Sequence, residues 1–250
     1  MSGHSKWHNI RLRKGKVDAQ RGALFTKISK EIMLAAKSGS PDPEANYRLK
    51  MVIEKARENN MPQDNIKRAI ARAVGSDAKE IEEMRYEGYG PAGVAVIVDA
   101  ATDNRNRTAS ELRFLFSRNG GTFGETGSVG WMFDPAGIIE IDPQDRGEDD
   151  LTERCLIEGV IDVEYGEPST VYTDPATVTS TRDALRGAAL KVTDAYLGMR
   201  PKTRVNIATG DALTAALQFL DALEEHEDVQ RVFSNAEFSD AALQSLAGAR

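Results

Sequence analysis

Apolar residues along this chain keep two different periods, and the change between them divides it. From Asp18 onward, Leu24, Ile28, Ile32 and Ala35/Ala36 recur at three- and four-residue steps. That spacing predicts a helix capped by Asp18 and stopped at Gly39. A second helix is expected from Asp42 as cap and Pro43 at its first position, with Ala45, Leu49, Val52/Ile53 and Ala56 inward. A third runs from Pro62 to Gly75, burying Ile66, Ala69/Ile70 and Ala73/Val74. Three short helices with small apolar residues make a bundle. Residues 1–17 keep no helical period and read as an extended arm.

After a polar, acidic linker at 76–83 the period drops to two. "MRYEGYGPAGVAVIVDAATD" predicts two strands about a Gly/Pro turn. "RTASELRFLFSRNGG" is a helix ending at Gly120/Gly121, and "TFGETGSVGWMFDPAGIIEIDP" alternates glycine turns with strands. Residues 136–207 read βαββαβ, the split order of ferredoxin-like domains. "DALTAALQFLDALEEHED" is a strongly amphipathic helix, and "VQRVFSNAEF" is one final strand. The expected architecture is α+β and multidomain. A basic helical domain (1–75) precedes two ferredoxin-like α/β domains. One is discontinuous (84–135 with 208–238); the other (136–207) is inserted in it. Residues 239–250 form a tail.

Charge sharpens this division. The net charge is −7, yet residues 1–75 hold 16 Lys and Arg against 7 Asp and Glu, while residues 76–250 hold 16 against 32. A basic module on an acidic body points to a polyanion met by the module alone. Mutual attraction between the two parts is the plainer alternative. Within the arm, Lys6, Arg11, Arg13, Lys14 and Lys16 are positioned for phosphates, with Arg21 and Lys27 following on the first helix. Trp7, flanked by His4 and His8, can stack on bases or anchor the arm to the bundle. Lys30 and Lys37, then Lys67, Arg68 and Arg72, widen the basic footprint. In "TDNRNRT", Thr108 is read as a helix cap that leaves Arg105 and Arg107 on an exposed loop beside a helix N-terminus, a fitting anion contact.

Other chemistries find little support. The glycine stretches lack the Lys-Ser/Thr of a phosphate-binding loop and read as turns. Trp131 and Phe133 are expected in the core, Cys155 on a packed helix face, and His226 at a solvated helix end. His4 and His8 have no Cys or acidic neighbour to complete a metal set. No nucleophile–base arrangement appears, so neither an enzyme nor a cofactor is expected. A single cysteine fits a reducing compartment, and no apolar run approaches a membrane span.

The stretches "GHSKWHNIRLRKGKVDAQRGALFTKISKEI", "NYRLKMVIEKARENNMPQDNIKRAI", "YEGYGPAGVAVIVDAATDNRNRTASELRFLFSRNGGTFGETGSVGWMF" and "LEEHEDVQRVFSNAEF" resemble the YebC/PmpR family over nearly the whole chain. The resemblance implies a basic helical domain followed by two α/β domains, one interrupting the other. It also implies a regulatory role in gene expression. Family members are described as probable transcriptional regulators that bind DNA. A mitochondrial branch activates translation, and bacterial relatives relieve stalling at proline runs, which implies ribosomal RNA as the alternative partner. Protein partners for the acidic domains are a further expectation. Three places depart from the family pattern. Ala92 replaces the second glycine of "GPGG". His8 and Arg11-Leu12 alter "SKWANIKHRK". "MRPKTRVNI" stands for "MIPxxTVxL", putting Arg200 beside Pro201. The motif begins directly after Met1-Ser2, so a bacterial cytoplasmic setting is expected over an organelle.

Overall fold

The computed structural model describes residues 17–75, 81–207 and 210–238. Helices α1 (Val17–Ser38), α2 (Tyr47–Glu58) and α3 (Gln63–Val74) form the bundle. Their inward stripes merge into one core: Ile28, Ile32, Ala35 and Ala36 meet Leu49, Val52, Ile53, Ala56, Met61, Ile66 and Ala69. Leu24, expected on that stripe, is 36% exposed, and its neighbour Phe25 packs against the core in its place. The start of α2 also differs from expectation. Asp42 closes a turn before the helix, accepting the Glu44 N–H. The cap is Asn46, whose Oδ1 accepts the Leu49 N–H at 3.0 Å. Its Nδ2 donates to the Ala35 carbonyl at 2.8 Å and the Ser40 carbonyl at 2.7 Å. One buried amide thus satisfies orphan groups at the end of α1 and the start of α2 together, which an aspartate, lacking a donor, could not do.

Strands β1 (Glu82–Tyr89) and β2 (Ala95–Thr102) pair antiparallel across a tight turn. Ala92 sits in that turn at φ 59°, followed by Gly93 at φ 75°. The left-handed conformation costs an alanine roughly 1 kcal/mol that a glycine would not incur. This is where the chain departs from the "GPGG" pattern. Helix α4 (Arg105–Arg118) leads to the two-residue β3 (Thr122–Phe123), and β4 spans Phe133–Asp142. Next come α5 (Glu148–Arg154), β5 (Val160–Glu164), β6 (Ser169–Thr173), α6 (Val178–Gly187) and β7 (Lys191–Pro201). The chain closes with β8 (Val205–Ile207), α7 (Asp211–Glu225), β9 (Val229–Ser234) and β10 (Ala236–Phe238).

Strands β4 to β7 form an antiparallel sheet in the order β5-β6-β4-β7, with α5 and α6 between its strands in chain order. That is the ferredoxin-like arrangement. The other sheet runs β3-β1-β2-β9, also antiparallel. Read in space, its strands follow the same plan, but the strand that should come third in the chain, β1, comes first. The inserted domain occupies the place in the chain where that strand would lie. The expected final strand is two. Buried Asn235 breaks it: β9 stays with β2, while β10 pairs with β8 in a separate parallel pair.

The two sheets pack face to face. Ala95, Ile97 and Phe233 of one meet Ala136, Ile138 and Tyr172 of the other. Alternate residues point the opposite way. Val94, Val96 and Val98 lie under α4 and α7, and Ile139, Ile141 and Val171 under α5 and α6. Burial on both faces explains the apolar run Ala95–Val98 that opens β2. Phe133 and Cys155 are buried as expected. Trp131 is not: it is 67% exposed, its indole N–H donating to the Ser128 carbonyl at 3.2 Å.

Candidate nucleic-acid interface

Lys6, Trp7, Arg11, Arg13, Lys14 and Lys16, with His4 and His8, lie outside the described residues. Of the remaining candidates, Arg21 is exposed on α1. Lys67, Arg68 and Arg72 are exposed along α3 and face away from the bundle core. Among the described residues none of these four is in an ion pair, though Arg68 donates to the Asp64 carbonyl at 3.1 Å and to Asn65 Oδ1. Lys27, Lys30 and Arg107 are not so placed.

Lys27 donates to the Glu224 carbonyl near the C-terminal end of α7. Lys30 donates to the Glu227 carbonyl at 3.0 Å and pairs with Asp228. Carbonyls at a helix end attract cations, so α1 grips the discontinuous domain there. Asp228, fully buried, is the hub. Its Oδ2 accepts from Thr108 Oγ1 at 2.6 Å and from Arg107 at 2.8 Å, while its Oδ1 takes Lys30. Burial alone would raise this carboxyl's pKa. The bonds from Lys30, Thr108 and Arg107 outweigh burial and hold it well below the usual carboxylate range. The loop expected at Arg105 and Arg107 is instead the first turn of α4, capped by Asn104, which accepts the Arg107 N–H. Thr108 is buried one turn inside. Arg105 remains exposed, 3.7 Å from Glu82. The attraction between basic and acidic parts is therefore part of the fold, and it engages specific side chains.

Burial lowers the Lys27 pKa to about 8, against the opposing pull of Glu224. The unfolded chain keeps that proton up to about pH 10.4, so stability should rise with pH between these values, by about 1–2 kcal/mol from pH ~7.5 to ~9.5. Lys27→Met should remove this rise. Urea midpoints at the two pH values test it, and an equal rise in the variant would contradict the assignment.

Glu111, His226 and Asp228 bring ligand atoms within 4.8 Å of one another, a spacing that can suit a cation. Here the space is already served by protein cations. His226 Nδ1 accepts the Asp228 N–H at 3.1 Å and Nε2 meets Glu111 at 3.0 Å. His226, expected in solvent, has a side chain only 9% exposed.

The glycine-rich stretch after β3 does hold an anion, supplied by the protein. Buried Glu87 accepts N–H bonds from Gly127 at 2.9 Å, Val129 at 2.8 Å and Gly130 at 2.7 Å. Burial opposes ionisation, but these three donors prevail and lower its pKa. Glu87→Gln would turn an amide N–H₂ toward the donors. A loss of about 1–3 kcal/mol is expected, read from the urea midpoint. In the wild type this contribution is complete above the unfolded pKa of about 4.3 and fades as pH falls through the lower folded value. An unchanged midpoint in the variant would show that the carboxylate does not hold the loop.

A second junction joins all three parts. Arg231 of β9 lies 3.4 Å over the Tyr196 ring, 3.3 Å from Asp194 and 3.4 Å from Glu31 of α1. Lys55 of α2 reaches Asp194 at 2.9 Å. Beside it opens a cleft of about 970 Å³ whose wall carries Glu140, Asp142, Asp145 and Glu167. Tyr196 donates to Glu140 at 2.9 Å, and burial raises the Glu140 pKa. Arg204 and Arg231 line the same cleft, so its wall carries both signs of charge. Among the described residues no helix is long and apolar enough to cross a membrane.

Comparisons with known proteins agree with this layout. Residues 5–76 match the family model described as the TACO1/YebC protein N-terminal domain, and residues 81–236 match that of the TACO1/YebC second and third domain. A Moorella thermoacetica protein named "Probable transcriptional regulatory protein" is 46% identical over 250 residues, covering 98% of this chain and 99% of its own. A protein of the same name from Lactobacillus helveticus is 49% identical over 243 residues, covering 96% and 100%. The crystal structure of a conserved hypothetical protein from Aquifex aeolicus superposes with a TM-score of 0.84 at 40% identity, covering 91% of this chain and 94% of that one.

Proposed function

This chain belongs to the TACO1/YebC family, and from that premise we propose that it is a non-enzymatic regulator of gene expression that binds DNA through its first 75 residues. One observation carries the reading. The helical domain has a large excess of cations, and its α3 face presents Lys67, Arg68 and Arg72 to solvent while the rest of the chain is acidic. Lys6, Arg11, Arg13, Lys14 and Lys16 of the arm add phosphate contacts in this reading, and Trp7 anchors or stacks. Phosphate contacts of this kind give affinity and orientation without sequence choice. The acidic domains hold the module, repel the polymer elsewhere and meet protein partners. The work needs no cofactor and takes place in the cytoplasm.

A second reading, a translation factor on ribosomal RNA that relieves stalling at proline runs, is favoured by the form of the basic surface. Exposed cations without a major-groove reading helix suit the folded surface of ribosomal RNA rather better than a duplex. Cross-linking in cells followed by sequencing of the bound nucleic acid tests both. Promoter DNA supports the first reading and ribosomal RNA the second; enrichment of neither contradicts the proposal.

A further inference from the structure

Helix α4 stands out within the acidic body. It carries four arginines and one acidic residue, Glu111. Thr108, Leu112 and Phe116 turn inward and are buried. The opposite arc exposes Ser110, Arg113, Phe114, Ser117 and Arg118, with Glu111 at its margin turned to His226 and Arg107. Phe114 is 61% exposed, so the ring contributes little to the core, and a polar residue would serve the fold as well. Among the described residues the ion pairs of this helix are those of Arg105 and Arg107, with Glu111 also meeting His226; Arg113 and Arg118 have none. Rings orient them instead. The Arg118 guanidinium lies 6.0 Å from the Phe114 ring centre, and that of Arg113 lies 5.1 Å from the Phe123 ring centre. Such contacts fix the guanidinium plane and leave its N–H fork open.

We propose that this outer face of α4 binds a single-stranded segment of RNA, one base stacking on Phe114 while Arg113 and Arg118 take phosphates on either side. The chemistry favours that occupant over a duplex. An exposed ring needs a base face, and paired, stacked bases offer only their edges. Two open guanidinium forks suit phosphate oxygens. The Ser110 and Ser117 hydroxyls, lying between the arginines on this arc, can donate to and accept from a ribose 2′-hydroxyl, which DNA lacks. The helix is about 20 Å long, enough for several nucleotides. The inference rests on the proposed function only in taking the partner to be nucleic acid; its contacts lie in a different domain from the basic arm.

The test uses the full chain and fluorescence anisotropy with three labelled probes: a mixed-sequence single-stranded RNA, its DNA counterpart and the duplex DNA. Phe114→Ala should weaken RNA binding about 10-fold and leave duplex binding unchanged. Phe114→Tyr should restore it. Arg113→Ala with Arg118→Ala should reduce the salt slope for the RNA strand by roughly 1.4. The RNA strand should bind more tightly than the DNA strand. Wild-type RNA affinity in both the Phe114→Ala and double-arginine variants would overturn the inference, as would equal affinity for the two strands. If arm variants lose duplex binding while face variants match the wild type, this inference alone fails. A wild-type chain that retains none of the probes sinks the broader reading and this inference together.

Discussion

Asp228→Ala is expected to destabilise the protein by about 3–5 kcal/mol, because it strands two buried or half-buried cations. Lys30 and Arg107 both direct their charge at this carboxylate, and Thr108 Oγ1 donates to it. They come from α1 and α4, so the loss should fall on the attachment between bundle and sheets as well as on global stability. Hydrogen exchange is the local readout: amides of α1 and of the first turn of α4 should lose protection before those of β2. Asp228→Asn keeps the shape and some hydrogen bonds, so it should fall between wild type and alanine. The pH sign follows from the depressed carboxyl. Its contribution is complete above the unfolded value of about 3.9 and is lost as pH falls through the lower folded one. Acid should therefore weaken the wild-type attachment and leave the alanine variant, which lacks the group, less affected. A variant as stable as wild type, with α1 protection intact, would contradict the role given to Asp228.

Removing the arm's charge should act on binding with little effect on folding. Arg11, Arg13, Lys14 and Lys16 replaced together by alanine should lower affinity for duplex DNA by on the order of 10²–10³-fold at physiological salt, since each phosphate contact scales affinity by close to the inverse of the salt concentration. The urea midpoint should stay near that of the wild type. Replacing Lys27 or Lys30 should do the reverse, altering stability more than affinity, because both already serve carbonyl or carboxylate groups of the protein. A quadruple variant that binds as well as the wild type would remove the arm from the interface.

The multidomain α+β fold was legible because its signals are local. The run of β2 and the leucine spacing of α7 announce their elements whatever lies opposite them. Several misread points share one cause: their reasons sit elsewhere in the chain. Asn46 displaces Asp42 as cap because it also reaches Ala35 and Ser40, where a donor is needed. Asn235 splits the last strand because Ala95 donates to its side chain and Val205 to its carbonyl, bonds that span the sequence. At the candidate interface, the period of α1 told which residues face outward from the bundle. It could not tell that Lys27 and Lys30 would meet residues nearly two hundred positions later. Asp228 itself sits in an acidic run that reads as solvated, and nothing local marks it as the buried hub. The exposed face of Phe114 carries no local mark for the same reason. Only burial of its neighbours shows that α4 spends its other apolar residues inward. Glu87 was likewise invisible, since its partners are backbone N–H groups, which every loop possesses.

The central claim is that cations of the leading 75 residues contact a nucleic-acid backbone while those locked into the fold do not. Titrating the intact protein against a labelled DNA duplex over a range of salt concentrations tests it most directly. The five arm contacts alone should make the logarithm of the binding constant fall against the logarithm of salt with a slope of roughly −4 to −5, and contacts from α3 steepen it. A slope near zero, or no retention of the duplex even in dilute buffer, would contradict it.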